Sequence, residues 1–313
     1  MRIAVYGAGS VGGYFGGRLS QAGEDVVFIA RGEHLNAMLT KGLRVDSING
    51  DFAVQPIQAT DDPSNIGKVD VILVGVKAWQ VPEAAEAMWP MLGPETFILP
   101  MQNGLEAPAQ LSETLGEQHV LGGLCGLFCY VKEPGHIVHA GIDPFVKFGE
   151  LDNHRSQRIE QLLDCFKRAG VKAEIPPDIQ IAMWMKFLFI TVWSGMRAVT
   201  RAPIGVWRSL PETRRMAELS LQEIIAVAAA RHISLPEEAL QTAMNMYDDQ
   251  IPESTASLQR DVMAGRPSEL DAQIGAVVRF GQQADLTTPQ HAVIYHSLLP
   301  MELRARGQLQ FGE

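Results

Sequence analysis

Hydrophobic positions along this chain follow two rhythms, and the change from one to the other divides it. In the first half, short apolar runs alternate with amphipathic stretches: Arg2 to Tyr6, then Tyr14 to Ala22 at helical spacing, then Val26 to Ala30. His34 to Thr40 predicts a short helix, and Leu43 to Val45 with Phe52 to Val54, around Asn49-Gly50, predicts a hairpin. Val69 to Val76 is apolar almost throughout, the pattern of a central parallel strand covered on both faces, and Thr96 to Leu99 predicts the next strand. Leu124 to Val131 reads as a strand, Gly135 to His139 as its partner after the Pro134-Gly135 turn, Phe145 to Gly149 as another strand, and His154 to Ala169 as a helix. Pro176-Pro177 then breaks the chain. Beyond it no strand pattern recurs: Ile179 to Val199, Thr213 to Arg231, Glu237 to Tyr247 and Leu270 to Ala284 all carry helical periodicity.

The opening strand runs into Gly7-Ala8-Gly9-Ser10-Val11-Gly12 and then a helix. Glycine at these positions permits a tight turn (Gly7), close approach of a pyrophosphate to the backbone (Gly9) and close packing of helix on strand (Gly12), with the helix N-terminus facing the phosphates. The fold class expected is therefore α/β: an N-terminal Rossmann-type dinucleotide-binding domain over residues 1–177, followed by an all-α C-terminal domain over 178–313. The second strand ends in Ala30-Arg31-Gly32, with no carboxylate to accept from a ribose 2′-hydroxyl and an arginine suited to a 2′-phosphate. NADP is the cofactor this predicts; a solvated loop charge is the other reading of Arg31. Lys77, after the Val69 to Val76 run, and Asn103, after the next strand, fall where ligands of open α/β sheets sit, although position alone also allows plain loop residues.

Composition narrows the function classes. With 46% hydrophobic and 20% charged residues among 313, and a net charge of −10 from 26 basic and 36 acidic groups, the chain has no electrostatic footprint for nucleic acid or an anionic membrane. A core strand beginning at residue 3 leaves no room for a signal peptide, and the longest apolar run, Phe187 to Trp193, is too short to span a bilayer, so a cytoplasmic location is expected. Three cysteines fit a reducing compartment. Cys125, Cys129, His136 and His139 lack a zinc spacing and fall on two paired strands, so no metal is expected.

Two groups in the helical half carry chemistry. Lys186, inside Trp184-Met185-Lys186-Phe187-Leu188-Phe189-Ile190, is an ammonium in apolar surroundings: either a proton donor whose pKa falls through lost hydration, or a lysine snorkelling from a helix edge. Downstream, Ser254 to Asp261 and Gly265-Arg266-Pro267-Ser268-Glu269-Leu270-Asp271 bring hydroxyls and carboxylates around a turn. Ser268 reads as the N-cap of a helix beginning near Glu269, which is then either a first-turn acid placed for the helix dipole or a catalytic group.

Taken together, the Gly7 to Gly12 turn, Arg31-Gly32, Val76-Lys77-Ala78-Trp79-Gln80, Gln102-Asn103-Gly104, Trp184 with Lys186, Ser257 and Gly265 to Asp271 resemble the ketopantoate reductase (2-dehydropantoate 2-reductase) family over nearly the whole chain. That resemblance implies NADPH-dependent reduction of the keto group of a small 2-oxo acid, in pantothenate and coenzyme A synthesis, in a cleft between the two domains. It implies that Lys186 supplies the proton, Glu269 holds the substrate's terminal hydroxyl, and Ser257 and Asn103 contact the substrate. Gly7, Ala8, Gly9, Ser10, Val11, Gly12, Arg31, Lys77 and Asn103 would contact the cofactor. Four and eight residues after the lysine the family usually has two asparagines; here Ile190 and Ser194 stand there, so Ser194 becomes a substrate-binding candidate and a more apolar 2-oxo acid an alternative substrate. Two other readings are a related hydroxy-acid dehydrogenase, against which the Gly-Arg-Pro-Ser-Glu segment argues, and a non-catalytic NADP sensor, which would bind NADPH without consuming it. A homodimer is compatible with the resemblance, and no sequence feature decides it.

Overall fold

The computed structural model describes residues 1–311, which divide into two compact units: residues 1–102 with 106–180, and residues 103–105 with the chain from Ile181 onward. The first unit contains β1 (Arg2–Tyr6), α1 (Ser10–Gln21), β2 (Asp25–Ile29), α2 (Gly32–Lys41), β3 (Leu43–Ser47), β4 (Phe52–Val54), β5 (Gln58–Thr60), β6 (Val71–Val74), α3 (Val81–Met88), β7 (Phe97–Pro100) and α4 (Ala107–Leu115). It continues through β8 (Leu121–Gly126), β9 (Cys129–Glu133), β10 (His136–His139), β11 (Phe145–Glu150), α5 (Gln157–Arg168) and β12 (Lys172–Glu174). The main sheet runs β5-β2-β1-β6-β7, all parallel. Every residue of β6 is inaccessible to solvent, which is why this stretch has no polar face to alternate with its apolar one.

Strand order reverses between β1 and β6, and the crevice outside their carboxyl ends is where open parallel sheets take ligands. Gly7, with φ +96°, turns the chain out of β1, and Gly12 brings α1 down onto that turn. A Cβ on Gly12 would lie 2.3 Å from the Gly7 carbonyl oxygen and 2.9 Å from Val5, so only glycine permits this approach.

Two smaller sheets complete the first unit, β4-β3-β10-β9 and β12-β11-β8. The Leu43 to Val54 hairpin forms as expected. The single strand expected over 124–131 is instead two: β8 pairs with β11, β9 pairs with β10, and Leu127 and Phe128 carry the chain from one sheet to the other. The mark this change leaves in the pattern is Gly126, the last residue of β8, which interrupts the apolar run just before 127–128. The helix expected from His154 begins at Gln157, where the Ser156 hydroxyl accepts from the Ile159 N–H and caps it.

The second unit is helical, with most of α6 (Ile179–Thr200), then α7 (Ile204–Trp207), α8 (Pro211–Ala230), α9 (Ala239–Asp248), α10 (Ser257–Met263), a π turn over Asp271–Gly275, α11 (Ala276–Gln283) and α12 (Pro289–Ala305). At 22 residues α6 is long and apolar enough, by length and composition alone, to cross a membrane, a test that the buried core helix of a globular domain also passes. Most of its central window is buried, and its aromatic groups serve the helical core. Phe189 stacks on Trp193 and on Tyr247, whose hydroxyl donates to the Phe189 carbonyl at 2.9 Å. Phe187 and Leu188 are buried beside them, each stabilising the unit by about 1.5–3 kcal/mol.

Gly12→Ala should lower the unfolding free energy by about 1–3 kcal/mol, the cost of forcing a methyl into closed packing. Gly9→Ala should change it by less than about 0.5 kcal/mol, because no atom lies within 4 Å of where that Cβ would stand. Urea denaturation of the two variants measures both; equal losses would contradict the packing described.

Candidate active site

In the first unit the turn after β1 is fixed from below. The N–H groups of Gly7 and Ala8 both donate to the Ile29 carbonyl at the end of β2, at 3.2 and 2.9 Å. The Ala8 carbonyl in turn accepts from His34 Nε2 at 2.9 Å, while His34 Nδ1 accepts from the Gly135 N–H at 3.1 Å. Those two bonds require the neutral Nε2–H tautomer, in keeping with burial, which pushes the His34 pKa down against the opposing pull of the Ala8 bond. Gly9 caps α1 with open space above it, and the N–H groups of Ser10, Val11 and Gly12 belong to a first turn with no intrahelical acceptors. A pyrophosphate fits this cradle: donors and the positive helix end face it, and no side chain fills the approach.

Arg31 lies exposed at the start of α2, its Nη2 3.6 Å from Glu83 Oε1. Beside it the Tyr6 hydroxyl is buried at the end of β1; burial raises its pKa and the Arg31 guanidinium partly offsets this. Lys77 is exposed at the mouth of β6, its ammonium 5.9 Å from the centre of the Trp79 ring. Buried Gln102 donates through Nε2 to the carbonyls of Val74 and Val76, at 2.8 and 3.0 Å, and so holds the strand end that presents Lys77.

In the helical unit, Asn103 and Glu269, 166 residues apart, come together: Asn103 Nδ2 donates to Glu269 Oε2 at 3.2 Å. Glycine makes this meeting possible. Gly104 has φ +109°, and a Cβ there would lie 2.8 Å from the Ala272 carbonyl oxygen, so residues 103–105 can rest against the π turn only without a side chain. Glu269 is 7% exposed and just precedes that turn, a local widening often found at functional sites. Ser268 is also buried; its hydroxyl accepts from the Leu270 N–H at 3.3 Å, a cap-like bond, while itself donating to Glu302.

Lys186, Ile190, Ser194 and Arg197 follow one another along one face of α6. Lys186 and Ile190 are half-buried; Ser194 is buried, and its hydroxyl has no hydrogen-bond partner among the described residues. Arg197 is wholly buried, and its Nη2 has no hydrogen-bond partner among the described residues. It lies over the Trp193 ring, and its Nε donates to Gln259 Oε1 at 3.0 Å, tying α6 to the first turn of α10, whose leading residue is half-buried Ser257. Burial, and then the neighbouring Arg260 charge, lower the Arg197 pKa to about 10, so the guanidinium stays protonated at neutral pH.

The ketopantoate reductase PanE/ApbA profile matches residues 3–153, and the C-terminal profile of the same family matches residues 178–302. The chain belongs to the ketopantoate reductase family. Family relatives include an uncharacterized oxidoreductase, YkpB, of Bacillus subtilis, 30% identical over 304 residues covering 95% of this chain and 98% of the relative. A 2-dehydropantoate 2-reductase of Nostoc is 28% identical, covering 98% of each chain. Among solved structures, a PanE/ApbA family ketopantoate reductase from Ralstonia eutropha superimposes with a TM-score of 0.90 at 28% identity, covering 98% of this chain and 100% of that one. The parallel sheet followed by a helical domain is the fold of this family, and the protein is an oxidoreductase.

Within that family fold, reading by residue type missed His34, Arg197 and Glu302. Each is a polar group whose partner is a distant backbone or a buried side chain, and none carries a local signature; the pairing of Gly135 with His34 could be found only from the sheet order. The lowered His34 pKa gives a signed expectation. The unfolded chain binds a proton at His34 near pH 6.5 and the native state only at lower pH, so this contribution to stability is complete above that pH and lost as pH falls through the native value. Denaturation midpoints at pH 7.5 and 5 should therefore fall further in the native protein than in His34→Gln; an identical acid-side loss would contradict the neutral bridge.

Proposed function

We propose that this protein reduces the keto group of 2-dehydropantoate, or of a closely related 2-oxo acid, to a 2-hydroxy acid with NADPH, as a cytoplasmic enzyme of pantothenate and coenzyme A synthesis. The observation that carries this reading is the meeting of Asn103 and Glu269, which assembles a buried carboxylate and an amide from two separate motif segments in the helical unit.

Gly7 to Gly12 hold the pyrophosphate through backbone N–H groups, Arg31 takes the 2′-phosphate, and Lys77 and Asn103 help seat the nicotinamide half. Bound there, the cofactor supplies a hydride to the keto carbon. Lys186 hydrogen-bonds the keto oxygen and delivers a proton to it as negative charge develops, which completes the alcohol. Glu269 accepts from the substrate's terminal hydroxyl, with Asn103 holding the carboxylate in place. Ser257 adds a hydroxyl contact. The salt link from Glu83 to Arg31 is exposed and weak, so it would cost Arg31 little to turn to a 2′-phosphate.

Ile190 favours a second reading of the substrate. It is half-buried one turn along α6 from Lys186, where an asparagine would offer two hydrogen-bonding atoms, and Ser194 is too enclosed to replace them. A 2-oxo acid with a more apolar side chain leaves fewer groups unpaired there.

Lys186→Ala should reduce turnover by at least about a hundredfold, the scale of a positioned general acid, with NADPH binding by fluorescence titration unchanged. Turnover within a few-fold of the native value would remove Lys186 from the reaction. Arg31→Ala should weaken NADPH binding by about tenfold, the equivalent of one charge-assisted contact, and leave NADH binding unchanged; equal loss for both would refute the 2′-phosphate assignment.

A further inference from the structure

Glu269 is reached by the chain through Ser268, and every polar group of Ser268 is engaged by the last turns of α12. Glu302, itself 4% exposed, accepts from the Ser268 N–H at 3.1 Å to each carboxylate oxygen, and from the Ser268 hydroxyl at 2.6 Å. Arg306, one helical turn on, donates through Nε to Glu302 at 2.7 Å and through Nη2 to the Ser268 carbonyl at 3.0 Å. The serine's N–H, hydroxyl and carbonyl are thus all held by one ion pair. On the other side, the Glu269 carbonyl accepts from the Gln273 N–H at 3.1 Å, where the π turn begins to wind.

A buried carboxylate is costly to isolate, and an ion pair of this kind is weak evidence for stability alone. Its geometry does something more specific: bonds to all three polar groups of one residue remove the translational and rotational freedom of the backbone that carries Glu269. Asn103 then fixes the carboxylate at the far end of the side chain. A hydrogen bond to a substrate hydroxyl tolerates little misplacement, so backbone freedom at Ser268 would be felt directly in substrate binding.

We infer that Glu302 and Arg306 are positioning residues for Glu269, setting recognition of the substrate's terminal hydroxyl without touching it. This rests on the reading of Glu269 given above, and the test separates the two. Steady-state constants are measured for native enzyme, Glu302→Gln, Glu269→Gln and the double variant, with 2-dehydropantoate and with the same acid lacking its terminal hydroxyl. Glu302→Gln should raise KM for the hydroxylated acid by about tenfold, with kcat changing far less, and should leave KM for the acid without the hydroxyl unchanged. In the Glu269→Gln background it should add nothing.

Equal penalties on both acids would make the ion pair merely structural and overturn the inference. If Glu269→Gln discriminates the two acids and Glu302→Gln does not, the inference falls while the reading of Glu269 stands. If Glu269→Gln does not discriminate them, both fall. Should Glu302→Gln not fold, Arg306→Lys serves: it keeps the charge facing Glu302 but not the fork that also reaches the Ser268 carbonyl, and it should show the same hydroxyl-dependent rise in KM at smaller size.

Discussion

Backbone lying directly on backbone is the constraint from which the nucleotide end of this molecule is built. α1 approaches β1 so closely that the Gly7 carbonyl occupies the space a Gly12 side chain would need, and Gly75, just after β6, sits against the same carbonyl. Three glycines from three segments therefore meet at the point where strand order reverses. The consequence is chemical as much as steric. With α1 seated this low, its first-turn N–H groups open onto the crevice beside Gly9, and the positive end of the helix faces the place an anion would occupy.

The helical unit uses the same device for a different purpose. Gly104 lets the short segment 103–105 lie against the Ala272 carbonyl, and this places an amide donor on a buried carboxylate. Around it the polar groups are arranged in series: Arg306 on Glu302, Glu302 on Ser268, Ser268 beside Glu269, Glu269 on Asn103. Arg197 links α6, which carries Lys186, to α10, which begins with Ser257, by a bond to a neutral amide. Fixed polar groups in a low-dielectric setting lose little reorganisation energy when charge develops beside them, which is what a ketone reduction requires of its surroundings.

Much of this was legible from residue order, for identifiable reasons. Strands buried on both faces announce themselves by continuous apolar runs, as β6 does, and the glycine spacing after β1 has few physical explanations. The division between alternating and helical character lay open in the periodicity. What was hidden shares one property: it depends on partners far away in the chain. The passage from β8 to β9 changes sheets within a run whose one break is Gly126, a residue that says nothing of which sheet comes next. Glu302 and Arg306 look like an ordinary exposed i, i+4 pair until Ser268 is placed between them. Arg197 occupies a helix position where a charge normally signals solvent, yet it is wholly enclosed. α6 taken whole resembles a membrane span in composition, and only the packing of Trp193, Tyr247 and Phe189 shows where its apolar surface is used.

Hydride transfer to a 2-oxo acid is tested most directly by oxidation of NADPH by the purified protein with 2-dehydropantoate beside a panel of other 2-oxo acids. Consumption of NADPH with a clear preference for 2-dehydropantoate, or for a close relative with a more apolar side chain, is the predicted result. Tight binding of NADPH with no consumption in the presence of any of these acids would contradict it.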